Sequence, residues 1–481
     1  MGVKKNVLYS TFLTGANYIF PLITYPYISR VLGPSNIGEN EFALRIVGYF
    51  LLFASLGIAT VGTREIAKCK QSQEECSRTF SSILVLNIIS TILILVLYFI
   101  CIYSVASFQR VRPLLLIGSM QIAFTPFLIE WLYKGVEDFP YITKRSLAVR
   151  ILYVISIFIF VKTEEDLPKY FTLTICSMIL NAVFNWGYKK KYVKFTLNGI
   201  KLRKYVKPYF TFGLYALLTS MYISFNVLFL GIVSTDIEVG YYSSATKLFS
   251  VVLAFFTSFS TVMMPRMSNM FANNDAESAR CLIYKSFELL YPLAFTLILI
   301  GEFFAPQIIM ILSGPGYEGA ILPFRIILPL IFIIGTEQIL IVQILTPMGK
   351  DKAVLINSIV GSIFGLVLNF IIVPRLGCTG SAIVWLCSEI AVFSSAFYFV
   401  CKAASGNIIP VKLLFKNIFL LSVPIIFILL MQKILLNEYI IMGISVIFVV
   451  LYIGLTQIFI TKNSIICSVF SNIGHRKSTN I

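Results

Sequence analysis

One histidine, His475, and nine scattered cysteines without a single C-x-x-C pair leave no basis for a zinc site or a disulfide framework. The G-x-x-x-x-G-K-[ST] phosphate loop is missing, because Gly349-Lys350 is followed by Asp351, so the chain carries no ATPase of its own. No D-x-D pair is present to hold a metal-bound sugar nucleotide. Charged residues make up 13% of the chain, where a soluble domain has about a quarter. No cofactor and no metal is expected.

Apolar residues are in excess: 58% are hydrophobic and the mean hydropathy is +0.87, the composition of a polytopic membrane protein. Segments of the length needed to span a bilayer fall near 6–31, 40–60, 80–103, 113–133, 146–161, 169–187, 208–232, 240–262, 284–304, 320–345, 352–373, 380–401, 413–431 and 439–461. The fold expected is therefore all-α, with about 14 transmembrane helices. The first apolar run, Val7 to Ile28, is too long for a signal h-region and lacks an A-x-A site, so it stays as a helix.

The formal charge of +17 raises the question of nucleic acid, but the cations lie in short segments between apolar runs, where they set topology, and no basic domain stands outside the membrane. Of 39 Lys and Arg, twenty-eight fall in segments or span ends on the side of both termini, seven in the opposite loops or span ends, and four (Arg45, Arg150, Lys247 and Arg325) well inside spans. Both termini are thus expected in the cytoplasm. The outer connections are short, the longest being 305–320, and offer no extracellular catalytic domain.

The most basic connection, 188–208, lies between spans six and seven and reads as a cytoplasmic linker between two six-helix lobes, 1–187 and 209–402. Two further helices occupy 403–461 and a cytoplasmic tail 462–481. A weak parallel repeat fits this division: Gly38, Ala43 and Arg45 in span two match Gly240, Ala245 and Lys247 in span eight. Several spans contain proline, and Pro21 and Pro26, just before Arg30, are the candidate hinges.

An ionisable group near the centre of a membrane helix costs roughly 2.5–3.5 kcal/mol on insertion-based scales, so each one asks for a use. Arg45, Lys247 and Arg325 all sit a few residues into helices that enter from the outer face, about 8–10 Å deep at the helical rise. They form a candidate cationic, substrate-binding cavity. The alternatives are that each snorkels outward, or that Arg45 neutralises Glu41 one turn earlier. Among the carboxylates within spans, Glu337 and Glu389 are nearest mid-depth; with Glu41 they are the candidates for ion coupling or for structural pairing with a cation.

TYPYISRVLGPSNIG (24–38), GTREIAK (62–68), EWLYKGVEDFPYITKRS (130–146) and PRLGCTGSAIV (374–384) together resemble the Wzx-type polysaccharide-repeat flippases. These form the polysaccharide transporter family within the multidrug/oligosaccharidyl-lipid/polysaccharide exporter superfamily. The resemblance implies two six-helix lobes around a central cavity plus two peripheral helices, working by alternating access in the bacterial inner membrane. It also implies the substrate, an undecaprenyl-pyrophosphate-linked oligosaccharide moved to the periplasmic leaflet for O-antigen or capsule assembly. Partners implied are the bilayer and a polysaccharide polymerase with its chain-length machinery, with no nucleic acid and no enzymatic activity. A multidrug or cation antiporter of the same superfamily is the nearest rival, but it favours an acidic cavity, whereas Asn6 to Ser29 holds no charge. A membrane-embedded polymerase or ligase would need a larger outer loop.

Overall fold

The computed structural model describes residues 3–403, 409–434 and 436–463; the rest of the tail, with His475, lies outside them. All fourteen apolar segments are helical, and the described residues contain no strand. The chain separates into two compact units, one of Met1–Ser243 with Ser313–Gly316, the other of Ser244–Leu312 with Tyr317–Ile481.

The first unit opens with α1 (Val3–Ser55), which holds spans one and two joined at Gly33. Gly33 has φ 73° and ψ 171°, a conformation open only to glycine, and Pro34 restarts the helix at once with φ already set. Span two therefore begins six residues before the expected 40. Pro21 and Pro26 lie within helical backbone on the near side of this break. Next come α2 (Ile58–Cys69), α3 (Gln73–Ser104), α4 (Arg112–Phe124), α5 (Glu130–Gly135), α6 (Phe139–Phe160), α7 (Leu167–Tyr188) and α8 (Leu202–Val233). Span four, expected as one helix, is broken: the chain tightens at 125–127, and Ile129 takes φ 21° before α5 starts.

Two of the sequence motifs dock on each other. A Cβ on Gly62 would lie 2.5 Å from the Trp131 ring, and one on Gly135 would lie 2.7 Å from Ile66 Cβ, so α2 and α5 pack at backbone distance. The 188–208 segment is strapped to α3: Lys194 N, Thr196 N and Lys201 N donate to Ser77, Ser81 and Ser82 Oγ at 3.0, 2.9 and 3.1 Å.

In the second unit, α9 (Asp236–Ala272, from Ser244 on) is followed by α10 (Ala276–Ser313), α11 (Ile321–Ile327), α12 (Leu330–Glu337) and α13 (Asp351–Ala403). Span ten is not one α-helix either, because Gln338–Leu345 winds as a π-helix after α12. Gln343 in that segment is fully buried, donates to Ser260 Oγ at 3.0 Å and accepts from Ser286 Oγ at 2.8 Å, tying it to α9 and α10. The α13 helix joins spans eleven and twelve across Gly377, at φ 53° and ψ −131°. The last two spans, α14 (Val411–Leu420) with α15 (Ser422–Met431), then α16 (Glu438–Phe459), pack on α10 through Leu299, Phe304, Ile428, Ile441 and Val449. Exposed Leu93, Val96 and Ile100 on α3, Ile363, Val367 and Phe370 on α13, and Ile447 and Leu451 on α16 give these helices the apolar outer faces that lipid requires.

Candidate functional site

Arg45 lies eleven residues beyond Pro34, and Lys247 eleven beyond Asp236, where their helical segments begin. At 1.5 Å per residue each is about 16 Å along its helix, deeper than the sequence spacing suggested because both helices start earlier. The shared offset extends the Gly38/Gly240 repeat to the helix starts themselves.

Arg45 Nη2 is 3.6 Å from Glu41 Oε2, with the arginine side chain 38% exposed and the glutamate side chain 10%. The acid is sunk among Tyr153 and Tyr170 of α6 and α7, and Tyr153 is hydrogen-bonded to Thr174 Oγ1 at 2.9 Å. Arg45 Nε has no hydrogen-bond partner among the described residues. A buried carboxylate thus lies beside one terminal nitrogen of a guanidinium whose side chain stays more than a third exposed, which suits Arg45 to a second anion. Both Glu41 and Arg45 were candidates from sequence, and the structure brings them together.

In the second unit Lys247 is half-buried on α9, two residues before Phe249, which meets Trp385 edge-on at 5.0 Å between centroids. Arg325 is half-buried on α11, within electrostatic reach of Glu302 on α10, and its Nε lacks a hydrogen-bond partner among the described residues. Glu337 ends α12 and meets Glu389 of α13; the two are 5% and 4% exposed. Trp385 Nε1 donates to Glu389 Oε1 at 3.0 Å, while Glu337 Oε1 is unpartnered among the described residues. Ionised carboxylates only accept, so a hydrogen bond between these two needs a proton on one of them.

Arg145 falls one residue before the expected span five, and the structure places it inside a helix that starts earlier. The α6 helix starts at Phe139, capped by Asp138, and Arg145 is 7% exposed. It pairs with Glu130 Oε2 at 3.1 Å and donates to Asn185 Oδ1, joining α5, α6 and α7. The EWLYKGVEDFPYITKRS motif is thus a packing device. Asp138 with Pro140 was the available signal for the earlier helix start.

The profile of the polysaccharide biosynthesis protein family matches residues 3–271, and that of the MatE family matches 212–371. A protein of Escherichia coli (strain K12) named "Putative O-antigen transporter" is 26% identical over 410 residues, 83% of this chain and 97% of that protein. A Shigella dysenteriae protein of the same name is 25% identical over 395 residues, 81% of this chain and 98% of that protein. Among solved structures, the lipid II flippase MurJ in an inward closed conformation superposes with a TM-score of 0.74 at 16% identity, covering 95% of this chain and 99% of its own. An outward-facing multidrug resistance MATE transporter gives 0.53 at 16% identity, over 81% of this chain and 92% of its own. With more than half its length matched by one profile, and with the fold of the multidrug/oligosaccharidyl-lipid/polysaccharide exporters, the chain belongs to the polysaccharide biosynthesis protein family.

Proposed function

We propose that this protein is a flippase carrying an undecaprenyl-pyrophosphate-linked oligosaccharide repeat unit from the cytoplasmic to the periplasmic leaflet, by alternating access, for O-antigen or capsular polysaccharide assembly. The observation that carries the reading is the half-exposed Arg45, held from behind by buried Glu41 and repeated as Lys247 at the same offset in span eight. A pyrophosphate crossing the bilayer needs fixed cations in a hydrated path; arginine offers it a two-pronged donor and lysine a point charge. The polyprenyl tail stays in lipid meanwhile. Arg325 is the third candidate cation for the substrate, and the charge asymmetry of the loops supports cytoplasmic termini.

The MatE match favours a second reading, a multidrug or cation antiporter. The candidate cations Arg45, Lys247 and Arg325 within spans and a first span without charge from Asn6 to Ser29 weigh against it. The two separate in a strain lacking the protein, by mass spectrometry of carrier-linked glycan and by its leaflet. The flippase reading expects lipid-linked oligosaccharide to build up on the cytoplasmic leaflet. No build-up, or build-up as unpolymerised outer product, overturns it.

A further inference from the structure

The repeat glycines meet one another, and a single arginine fastens the place where they meet. A Cβ on Gly38 would fall 1.7 Å from Asp236 O and 2.8 Å from Gly240 N, while one on Gly240 would fall 2.0 Å from Pro34 O. Each glycine therefore sits on the first residue of the other's helical segment. That reciprocity is what a local two-fold relation between the halves of a repeat produces. The nearest atoms to both glycines at this crossing are main-chain atoms.

Arg110, in the connection between α3 and α4, spans this seam. Its Nη2 is 3.1 Å from Asp236 Oδ1 and also donates to Gly231 O, and Nη1 donates to Ser234 O at 3.2 Å. One guanidinium thus occupies carbonyls at the C-terminal end of α8 and the carboxylate opening α9, both with the sign that the helix ends favour. On the other side of the seam it lies 4.9 Å over the ring of Phe42, one turn beyond Gly38. Phe42 is fully buried and fits onto Gly231, where a Cβ would come within 2.1 Å of the ring, and it meets Phe108 edge-on at 6.3 Å. Glu39 is a second acid within electrostatic reach of Arg110. The 313–316 turn packs beside the seam, with Gly314 on Arg30 and Gly316 on Pro34.

We propose that Arg110 and Asp236 form a releasable clasp closing the face opposite the 188–208 linker, and that the Gly38/Gly240 seam must part for transported substrate to leave. Two features suit it to opening. At the glycine crossing main chain meets main chain, so opening there withdraws only Phe42 from Gly231 one turn on, and the fastening bonds, with side chains 35% and 20% exposed, can be exchanged for water. The proposal rests on the exporter reading only for what the opening releases; the opening itself is measurable without any glycan.

The test uses the full-length protein in spheroplasts carrying Ser243→Cys, a position 3% exposed one turn beyond Gly240. A membrane-impermeant maleimide reports how often the seam opens, with labelling of the parent lacking Ser243→Cys subtracted. Arg110→Gln and Asp236→Asn should each raise the labelling rate on the order of tenfold, as expected for loss of one charge-assisted contact from a closed state. Arg110→Lys keeps a charge for Asp236 but cannot reach all three acceptors, so it should fall between. Arg112→Gln is the control, since Arg112 lies over Tyr103 instead, 5.1 Å from its centroid, and should leave the rate unchanged. Equal rates in parent, Arg110→Gln and Asp236→Asn would overturn the clasp. So would a rise in Arg112→Gln as large as in Arg110→Gln, which would indicate general loosening.

Discussion

Arg45 sits one helical turn beyond Glu41 with 3.6 Å between guanidinium and carboxylate, and it is the arginine, not the glutamate, that stays open to solvent. The pair is therefore asymmetric, with the acid fixed by its surroundings and the base presented. If Arg45 serves the substrate, Arg45→Gln should impair glycan export at matched membrane expression, and Arg45→Lys should retain part of it. The Glu41→Gln/Arg45→Gln double variant decides whether the arginine merely neutralises the acid: continued loss supports a substrate role, and full rescue removes Arg45 from the site.

Glu337 and Glu389 are two buried carboxylates, the first at the point where α12 gives way to the π-helix. π-helical turns recur at functional sites because they displace the following side chains from the α-helical register. We propose this pair as candidates for ion coupling. Glu337→Gln and Glu389→Gln should each abolish the response of export to a protonophore while leaving the protein in the membrane. An unaltered response in both would make the pair structural.

The turn between spans one and two makes opposite demands of glycine and proline. At Gly33 the nearest atom to an added Cβ is 4.0 Å away, so Gly33→Ala meets no crowding and only backbone strain, of about 1–3 kcal/mol. Its thermal midpoint in detergent should fall below that of the parent. Pro21 and Pro26 are proposed as the hinge, and replacing both with alanine should slow export while the midpoint holds or rises. An unchanged export rate would make them incidental.

Arg145 should behave as a structural residue. Arg145→Met leaves Glu130 and Asn185 without their shared donor and should cost about 1.5–3 kcal/mol, read as a lower thermal midpoint and reduced membrane yield. Unchanged stability would mean that Lys134, also 2.9 Å from Glu130, suffices.

How much of this was legible in the sequence follows from how local each cause is. The fourteen spans could be read because lipid demands long apolar runs. The Glu41/Arg45 pair could be read because four residues make one helical turn. The break at Gly33 lies in a Gly-Pro step and that at Gly377 in an Arg-Leu-Gly turn, both inside the motifs that carry the family resemblance. The break before α5 follows the Pro126 turn, whereas the winding along 338–345 has no such local cause and goes with packing against other helices, as the Gln343 contacts to Ser260 and Ser286 show. The role of Arg110 was invisible for the same reason, because its acceptors at Gly231 and Ser234 are main-chain carbonyls more than a hundred positions away. The start of α6 was set seven residues late although the Asp138 cap, which accepts from Tyr141 N at 3.2 Å, marked it.

The central proposal is that the chain moves a lipid-linked pyrophosphoryl oligosaccharide and that Arg45 and Lys247 each serve its charge. Its most direct test is leaflet exchange of an undecaprenyl-pyrophosphate-linked oligosaccharide in proteoliposomes containing the purified protein. Exchange should appear with the parent and weaken about 10- to 150-fold in Arg45→Gln and in Lys247→Gln, the range set by one charged hydrogen bond. Exchange that is no faster than in protein-free liposomes, or equally fast in parent and both variants, would contradict the account.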